Sequence, residues 1–251
     1  MEIIKINNSR NKKLVLNLYK NNSKKIIIFA HGFTGDKSEH GLFDEAIENF
    51  LKYNFDILLF DFSGSGESDD DELTIEKEIE DLLCVIKFIE KNKYEKINLL
   101  GYSLGGLISL RVIKILKDKI NSLVLWAPVT DKKENYAEYK FSENERKELE
   151  EKGIITIYKN SKWRKKIIVD KKMIFEREII NQDELLKDIE IPVLIIHGEK
   201  DKNVPLNDSI NAIKKLNEKS KLEILKDEDH FFRIKKNELF DLSINWFKKY
   251  N

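Results

Sequence analysis

A serine set between two glycines is the most informative feature of this chain. Residues 101–105 read Gly-Tyr-Ser-Leu-Gly, directly after the apolar stretch 97–100 and directly before a helical pattern that begins at Leu107. Glycines two positions either side of Ser103 remove the Cβ atoms that would collide in a sharp strand-to-helix turn. Such a turn exposes the serine at a helix N-terminus, where free N–H groups and the helix dipole favour an oxyanion. The pattern therefore predicts that Ser103 is a nucleophile.

A serine nucleophile needs a base to take its proton and an acid to orient that base. Of the four histidines in the sequence, His230 lies in a polar loop between the last predicted strand and the last predicted helix. An imidazole on that loop can reach the carboxyl edge of the sheet. Asp201 follows another predicted strand in the same way and can accept a hydrogen bond from the second imidazole nitrogen. We therefore expect Ser103, Asp201 and His230 to act as a triad, in a chain order known from one large class of hydrolases.

The loop after the predicted strand 25–30 is expected to complete an oxyanion hole. Residues 31–35 of this loop read His-Gly-Phe-Thr-Gly. The backbone N–H of Phe33 is the candidate donor, paired with the N–H of Leu104 immediately after the nucleophile. Gly32 and Gly35 allow the backbone to approach a substrate closely.

Other polar motifs are explained better by local structure than by a cofactor or a metal. His31 and His197 each end a predicted strand, where they suit hydrogen bonds that hold loops, and no two histidines share a metal-ligand spacing. Residues 62–68, Phe-Ser-Gly-Ser-Gly-Glu-Ser, lack the glycine spacing and the lysine of a phosphate-binding loop and indicate a tight turn. The acidic residues 67–72 precede a helix that begins near Thr74, where acids favour the helix dipole. We expect no cofactor and no metal.

Six short runs of apolar and β-branched residues predict buried strands. They cover residues 25–30, 55–61, 96–100, 122–127, 192–197 and 221–225. Apolar residues at helical spacing lie between most of them, for example at Ile79, Leu82 and Ile86. This alternation predicts an α/β fold with a mostly parallel central sheet and helices on both faces. Segments 3–6 and 14–18, with no helix between them, predict an antiparallel hairpin at one edge.

Residues 131–190 interrupt this alternation. The stretch is highly charged and contains a predicted hairpin, formed by residues 154–158 and 167–169, before a helix from about Lys172. We interpret it as a small lid inserted at the carboxyl edge of the sheet, so that residues 1–130 and 191–251 form the core. Six aromatic residues are candidates to line a substrate pocket, although each can equally belong to the core of the lid: Tyr136, Tyr139, Phe141, Tyr158, Trp163 and Phe175.

The charge balance argues against nucleic acid as a partner. Lys plus Arg equals Asp plus Glu at 45 each, so no net field attracts nucleic acid or an anionic membrane. With 251 residues, 41% of them hydrophobic, the chain is long enough for a packed core. The abundance of Lys, Glu and Ile fits either life at high temperature or an AT-rich genome.

Cysteine usage and hydropathy predict a cytoplasmic protein. The single cysteine, Cys84, excludes an internal disulfide, and its place on an apolar helical face predicts a small buried residue. No apolar run approaches the ~20 residues needed to cross a bilayer. Residues 1–5 lack the basic-then-apolar order of a secretory signal. No single apolar stripe demands a partner subunit, so the oligomeric state stays open.

With these residues in view, the chain resembles the α/β-hydrolase superfamily over nearly its whole length. Within it, residues 31–35 with 37–41, and residues 60–68, resemble the feruloyl and cinnamoyl esterase group. Enzymes of that group carry a small lid with a hairpin at the position of residues 131–190. The resemblance implies a serine hydrolase, a carboxylesterase that acts on small acyl or aryl esters, with the triad and oxyanion donors named above. Leu104 stands where the group often has glutamine and makes the pocket wall there more apolar.

The same fold also supports other functions. A peptidase or amidase would need the lid to bind the amine of a peptide, and Glu143, Glu145, Glu148 and Glu150 are candidates, although a solvated helix face explains them as well. A monoacylglycerol lipase would prefer long acyl chains. A catalytically inactive hydrolase fold would serve as a binding module, but such proteins usually lose a member of the triad.

Overall fold

An eight-stranded sheet forms the centre of the protein, whose structure is a computed structural model that describes residues 1–92 and 94–251. The strands of the described residues, three of which (β5, β8 and β9) lie outside this sheet, are β1 (Glu2–Asn7), β2 (Lys13–Tyr19), β3 (Lys25–Ala30), β4 (Asp56–Phe60), β5 (Glu72–Leu73), β6 (Lys96–Tyr102), β7 (Ser122–Trp126), β8 (Ile154–Tyr158), β9 (Lys166–Asp170), β10 (Val193–Gly198) and β11 (Lys221–Leu225). The helices are α1 (Leu42–Phe50), α2 (Ile75–Glu90), α3 (Leu104–Leu116), α4 (Tyr136–Lys140), α5 (Glu143–Lys152), α6 (Lys171–Glu178), α7 (Gln182–Leu186), α8 (Leu206–Ile213) and α9 (Lys236–Lys249).

The strand order in this sheet is β1-β2-β4-β3-β6-β7-β10-β11. Along this order, every neighbouring pair from β4 to β11 is parallel. Strand β2 pairs antiparallel with both of its neighbours, β1 and β4. The predicted α/β fold with a mostly parallel sheet is therefore confirmed, and β1 and β2 form the predicted edge hairpin.

Helices cover both faces of the sheet because its central strands are apolar on both sides. In β3, Ile26 and Ile28 join one hydrophobic layer, while Ile27 and Phe29 join the other, as the alternation of side chains along a strand requires. Helices α2 and α3 pack in the first layer. Helices α1 and α9 pack in the second. This arrangement leaves the carboxyl ends of the parallel strands, and the loops after them, at one edge.

Residues 131–190 contribute α4 to α7 and the hairpin of β8 and β9. Strand β9 also pairs in parallel with β5, a two-residue strand outside this segment that the sequence pattern does not predict, so that β5, β9 and β8 form a second, three-stranded sheet. Nearby, the Ile75 N–H donates to the Glu176 carboxylate at 2.6 Å, and the Arg164 guanidinium contacts Asp70 and the carbonyl of Ser68. Backbone and side-chain bonds thus attach residues 131–190 to the segment that leads into α2.

Cys84 is only partly buried, whereas the sequence pattern predicts a buried residue. The difference arises because Cys84 lies at the margin of the apolar face of α2, where its Sγ is 3.4 Å from the carbonyl of Asn7. Across residues 1–92 and 94–251, none of the helices combines the length and the apolar character needed to span a membrane.

Candidate active site

A strained turn between β6 and α3 presents Ser103. Its backbone has φ 52° and ψ −115°, a conformation that costs a non-glycine residue about 1–3 kcal/mol. Backbone hydrogen bonds hold it, from the Ser103 N–H to the carbonyl of Trp126 at 2.9 Å, and to the carbonyl of Ser103 from the N–H groups of Val129 at 3.0 Å and Gly106 at 3.1 Å. A Cβ at Gly105 would lie 2.2 Å from the carbonyl oxygen of Ala30, so the turn can pack against β3 only with glycine there.

The three side chains of the predicted triad lie in one hydrogen-bonded chain. The Ser103 Oγ is 3.1 Å from His230 Nε2, and His230 Nδ1 is 2.6 Å from Asp201 Oδ2. All three are shielded from solvent, with Ser103 only 9% exposed. The loop of His230 is anchored by the buried carboxylate of Glu228, which accepts from three backbone N–H groups, and by the Tyr102 hydroxyl, which donates to the carbonyl of His230 at 3.2 Å.

Asp201 makes more contacts than the triad alone requires. Its Oδ1 accepts from the N–H groups of Asn203 and Val204, and its Oδ2 is 3.1 Å from Nε2 of the fully buried His197. Burial acts to raise the pKa of Asp201, but hydrogen bonds from His197, His230 and Val204 hold it below the usual aspartate range. His197, interpreted from the sequence as structural, therefore lies beside the candidate acid.

The two candidate oxyanion donors line the same cavity as Ser103. The backbone N–H groups of Phe33 and Leu104 donate to no other group in the described part of the chain, so both are free to bind a substrate oxygen. The loop that carries Phe33 is closed by a hydrogen bond from the Gly35 N–H to the carbonyl of Gly32 at 3.0 Å.

A buried carboxyl group that sequence reasoning missed lies against this loop. Oε2 of Glu39 accepts from the Gly32 N–H at 2.7 Å, and both residues line the cavity. The backbone of Glu39 and His40 has positive φ, which turns the glutamate under the loop, and a Cβ at Gly35 would lie 2.5 Å from its Oε2. Burial raises the pKa of Glu39 to about 7, although the Gly32 N–H opposes this shift.

The variant Glu39→Gln is expected to remove a pH dependence of stability. Folding raises the pKa of Glu39 from 4.5 to about 7, so the folded state binds a proton more tightly than the unfolded state. The free energy of unfolding therefore falls as pH rises from about 4.5 to 7, by roughly 1–3 kcal/mol. Glutamine stays neutral, and its Oε1 can still accept from the Gly32 N–H.

Urea unfolding at pH 5 and pH 8 measures this effect. We expect Glu39→Gln to gain stability over the native chain at pH 8 but not at pH 5. An equal difference at both pH values would contradict the assignment.

The cavity at Ser103 has a volume of about 200 Å³. A cavity of about 150 Å³ holds benzene, so the space suits a compact substrate group. Its walls come from both the sheet edge and residues 131–190: Gly32, Phe33, Thr34, Glu39, His40, Tyr102, Ser103, Leu104, Val129, Tyr136, Tyr139, Lys140, Arg177, Asn203, Val204, His230 and Phe231.

Two of the six aromatic candidates, Tyr136 and Tyr139, line this cavity. Phe141 packs behind them against Phe33, with ring centroids 6.3 Å apart. The other three project into solvent: Tyr158, Trp163 and Phe175. The sequence could not distinguish the aromatic residues that line the cavity from the others, because which face of each short element in residues 131–190 is covered depends on tertiary packing.

The candidate amine-binding glutamates do not line the cavity. They lie on the exposed helix α5, where Glu145 completes a capping box with Ser142 and Glu148 accepts from the N–H of Thr156 at 2.8 Å. Among residues 1–92 and 94–251, no cluster of three His, Cys, Asp or Glu side chains could hold a metal ion.

Comparison with known proteins identifies a family and several similar proteins. Residues 25–157 match a family model described as the alpha/beta hydrolase fold. A Mycoplasma genitalium protein, provisionally named esterase/lipase 2, is 34% identical over 109 residues, which make up 42% of this chain and 38% of that relative. The chain thus spans well under half the length of this relative.

Two solved structures resemble the whole chain. Est1E from Butyrivibrio proteoclasticus, with ferulic acid bound, has a TM-score of 0.79 at 22% identity, with 98% of each chain covered. A monoacylglycerol lipase from Paleococcus ferrophilus has a TM-score of 0.76 at 17% identity, with 100% of each chain covered. At these identities the likeness shows the fold alone.

Proposed function

The chain belongs to the α/β-hydrolase family, and from that premise we propose that it is a serine carboxylesterase that hydrolyses small acyl or aryl esters through an acyl-enzyme on Ser103. The observation that carries the proposal is the chain of hydrogen bonds from Ser103 Oγ through His230 to Asp201, at 3.1 and 2.6 Å, on the wall of a compact cavity. The similarity of the chain to an esterase/lipase-type relative supports an ester as the substrate.

In the proposed mechanism, Ser103 Oγ attacks the ester carbonyl carbon while His230 Nε2 takes the hydroxyl proton. Asp201 holds the imidazole and stabilises its cation. The N–H groups of Phe33 and Leu104 bind the oxyanion, each contributing about 2.7–4 kcal/mol if they act as oxyanion-hole donors do elsewhere. The carbon–oxygen bond to the alcohol then breaks, and His230 gives its proton to the leaving alkoxide.

Deacylation repeats these steps with water. His230 takes a proton from a water molecule as its oxygen attacks the acyl carbon, and then returns the proton to Ser103 Oγ as the acid leaves. The buried site favours this chemistry, because charges that develop away from bulk water interact more strongly with fixed N–H groups.

The cavity supports small substrates over long acyl chains. Its volume of about 200 Å³ fits a short acyl group or a single aromatic ring. Feruloyl and cinnamoyl esters are within this range, and the ferulic acid bound to the similar Est1E fold makes them worth testing.

Hydrolysis of nitrophenyl esters from acetyl to palmitoyl, together with methyl ferulate, tests the proposal. We expect turnover to be fastest for the short acyl chains and to fall with chain length. Preference for palmitate would point to a lipase. No turnover above a Ser103→Ala blank, together with no labelling by a fluorophosphonate probe, would contradict the proposed function.

A further inference from the structure

Two cationic side chains of the insertion line the cavity that holds Ser103. Arg177 comes from α6 and Lys140 from the last turn of α4. In the described part of the chain, neither has an Asp or Glu within ion-pair distance. Arg164, the other arginine of this segment that is largely shielded from solvent, pairs with Asp70 instead.

Arg177 is stronger evidence for a ligand site than Lys140, because its side chain is only 6% exposed. A buried arginine is normally paired with an acid, since removing its charge from water is costly. Here one Nη donates to the carbonyl of Asp131, and the guanidinium lies 5.5 Å from the ring centre of Tyr136. Asp131 and Asp208 attract it only from beyond contact distance, and burial lowers its pKa. The rest of its donor fork is left for a group that enters the cavity.

Lys140 adds positive charge at the rim of the same cavity. Its Nζ lies 5.8 Å from the ring centre of Phe33, beside the candidate oxyanion loop. Lys159, whose Nζ donates to the carbonyl of Thr34 at 2.9 Å, is a third cation close by. Of the described residues that line the cavity, only Glu39 is an acid, and its carboxyl group is already bonded to the Gly32 N–H.

We propose that the ester substrate carries a carboxylate in addition to its ester group, and that Arg177 binds this carboxylate with help from Lys140. The planar guanidinium fork matches a carboxylate, and a charge-assisted pair gains strength in a site screened from water. This inference rests on the proposed function and narrows its substrate class to half-esters of small dicarboxylic acids, or esters of an alcohol that bears a carboxylate.

Matched ester pairs test the proposal. On the acyl side, mono-4-nitrophenyl glutarate differs from 4-nitrophenyl pentanoate only by a carboxylate in place of the terminal methyl group. On the alcohol side, butyryl glycolate is compared with propyl butyrate. In at least one pair we expect the anionic ester to have the higher kcat/KM, by about 10- to 100-fold, as a charged hydrogen bond provides. Higher ionic strength should reduce this preference through the exposed Lys140.

Variants assign the preference to residues. Arg177→Gln should lower the ratio of kcat/KM for the anionic ester to kcat/KM for its neutral counterpart to about one, and labelling of Ser103 by the fluorophosphonate probe shows whether the variant folds. Lys140→Gln changes an exposed position and should reduce the preference for the anionic ester by a smaller factor than Arg177→Gln does. It provides the test if Arg177→Gln does not fold. Lys171→Gln removes an exposed charge from the same helix α6 and should leave the preference unchanged.

The outcomes separate this inference from the proposed function. Equal or faster hydrolysis of the neutral ester in both pairs, or a preference that survives in both Arg177→Gln and Lys140→Gln, would overturn the carboxylate site and leave the esterase proposal standing. Absence of any turnover above Ser103→Ala, with no fluorophosphonate labelling, would overturn both.

Discussion

Replacing Ser103 with alanine is expected to lower kcat for a nitrophenyl ester by roughly 10⁴- to 10⁶-fold. The change removes only the Oγ that contacts His230 at 3.1 Å, so the attacking atom is lost while the strained turn keeps a Cβ of the same size. Stability should change by no more than about 1 kcal/mol, because one hydrogen bond is lost. Steady-state kinetics and urea unfolding measure the two effects separately.

Ser9→Ala is the matched control, since it removes an exposed hydroxyl far along the chain from the site. A fluorophosphonate probe should label the native chain and Ser9→Ala but not Ser103→Ala. Near-normal activity in Ser103→Ala would show that another group is the nucleophile.

The second large effect is expected from Asp201→Asn, which should lower kcat by about 10⁴-fold. Asparagine can keep an oxygen toward the N–H groups of Asn203 and Val204 and then presents an NH₂ group to His230 Nδ1. The imidazole would then carry its proton on Nε2, where it cannot accept the proton of Ser103. The geometry is preserved, but the base is in the wrong tautomer.

Asp227→Asn tests whether loss of any nearby acid has the same effect. Asp227 is an exposed carboxylate in the loop of His230 and pairs with Lys200. We expect the activity of this variant to stay within about twofold of the native chain, as for surface pairs that contribute little. A large loss in Asp227→Asn, or none in Asp201→Asn, would show that Asp201 does not orient the base.

The fold could be predicted from the sequence because the alternation of strands and helices can be recognised from short local segments. Each apolar run such as 25–30 or 122–127 has the length of a buried strand, and turns and helices separate the runs. The same alternation predicts that Ser103, Asp201 and His230 meet, because the carboxyl ends of parallel strands lie at one edge. The structure brings these three side chains into hydrogen-bond contact, and their catalytic roles are what the variants above test.

Other parts of the site depend on tertiary packing and could not be predicted. Glu39 stands in a polar stretch that favours an exposed loop, and successive positive φ angles at Glu39, His40 and Gly41 turn it inward. Arg177 lies on a helix with no clear apolar face, so its burial could not be seen in the pattern. The contact between His197 and Asp201 depends on how the turn after β10 closes.

The pairing of β9 with β5 also lowers the free energy that substrate binding must spend on ordering the cavity wall. The wall that carries Arg177 and Tyr136 is attached to the core by backbone hydrogen bonds and by Arg164, so a substrate does not have to order it on arrival. Ordering side chains and loops consumes part of the free energy of association, and a ligand with few atoms has little to spare. A preorganised wall therefore allows a small ester to be held firmly through only a handful of contacts.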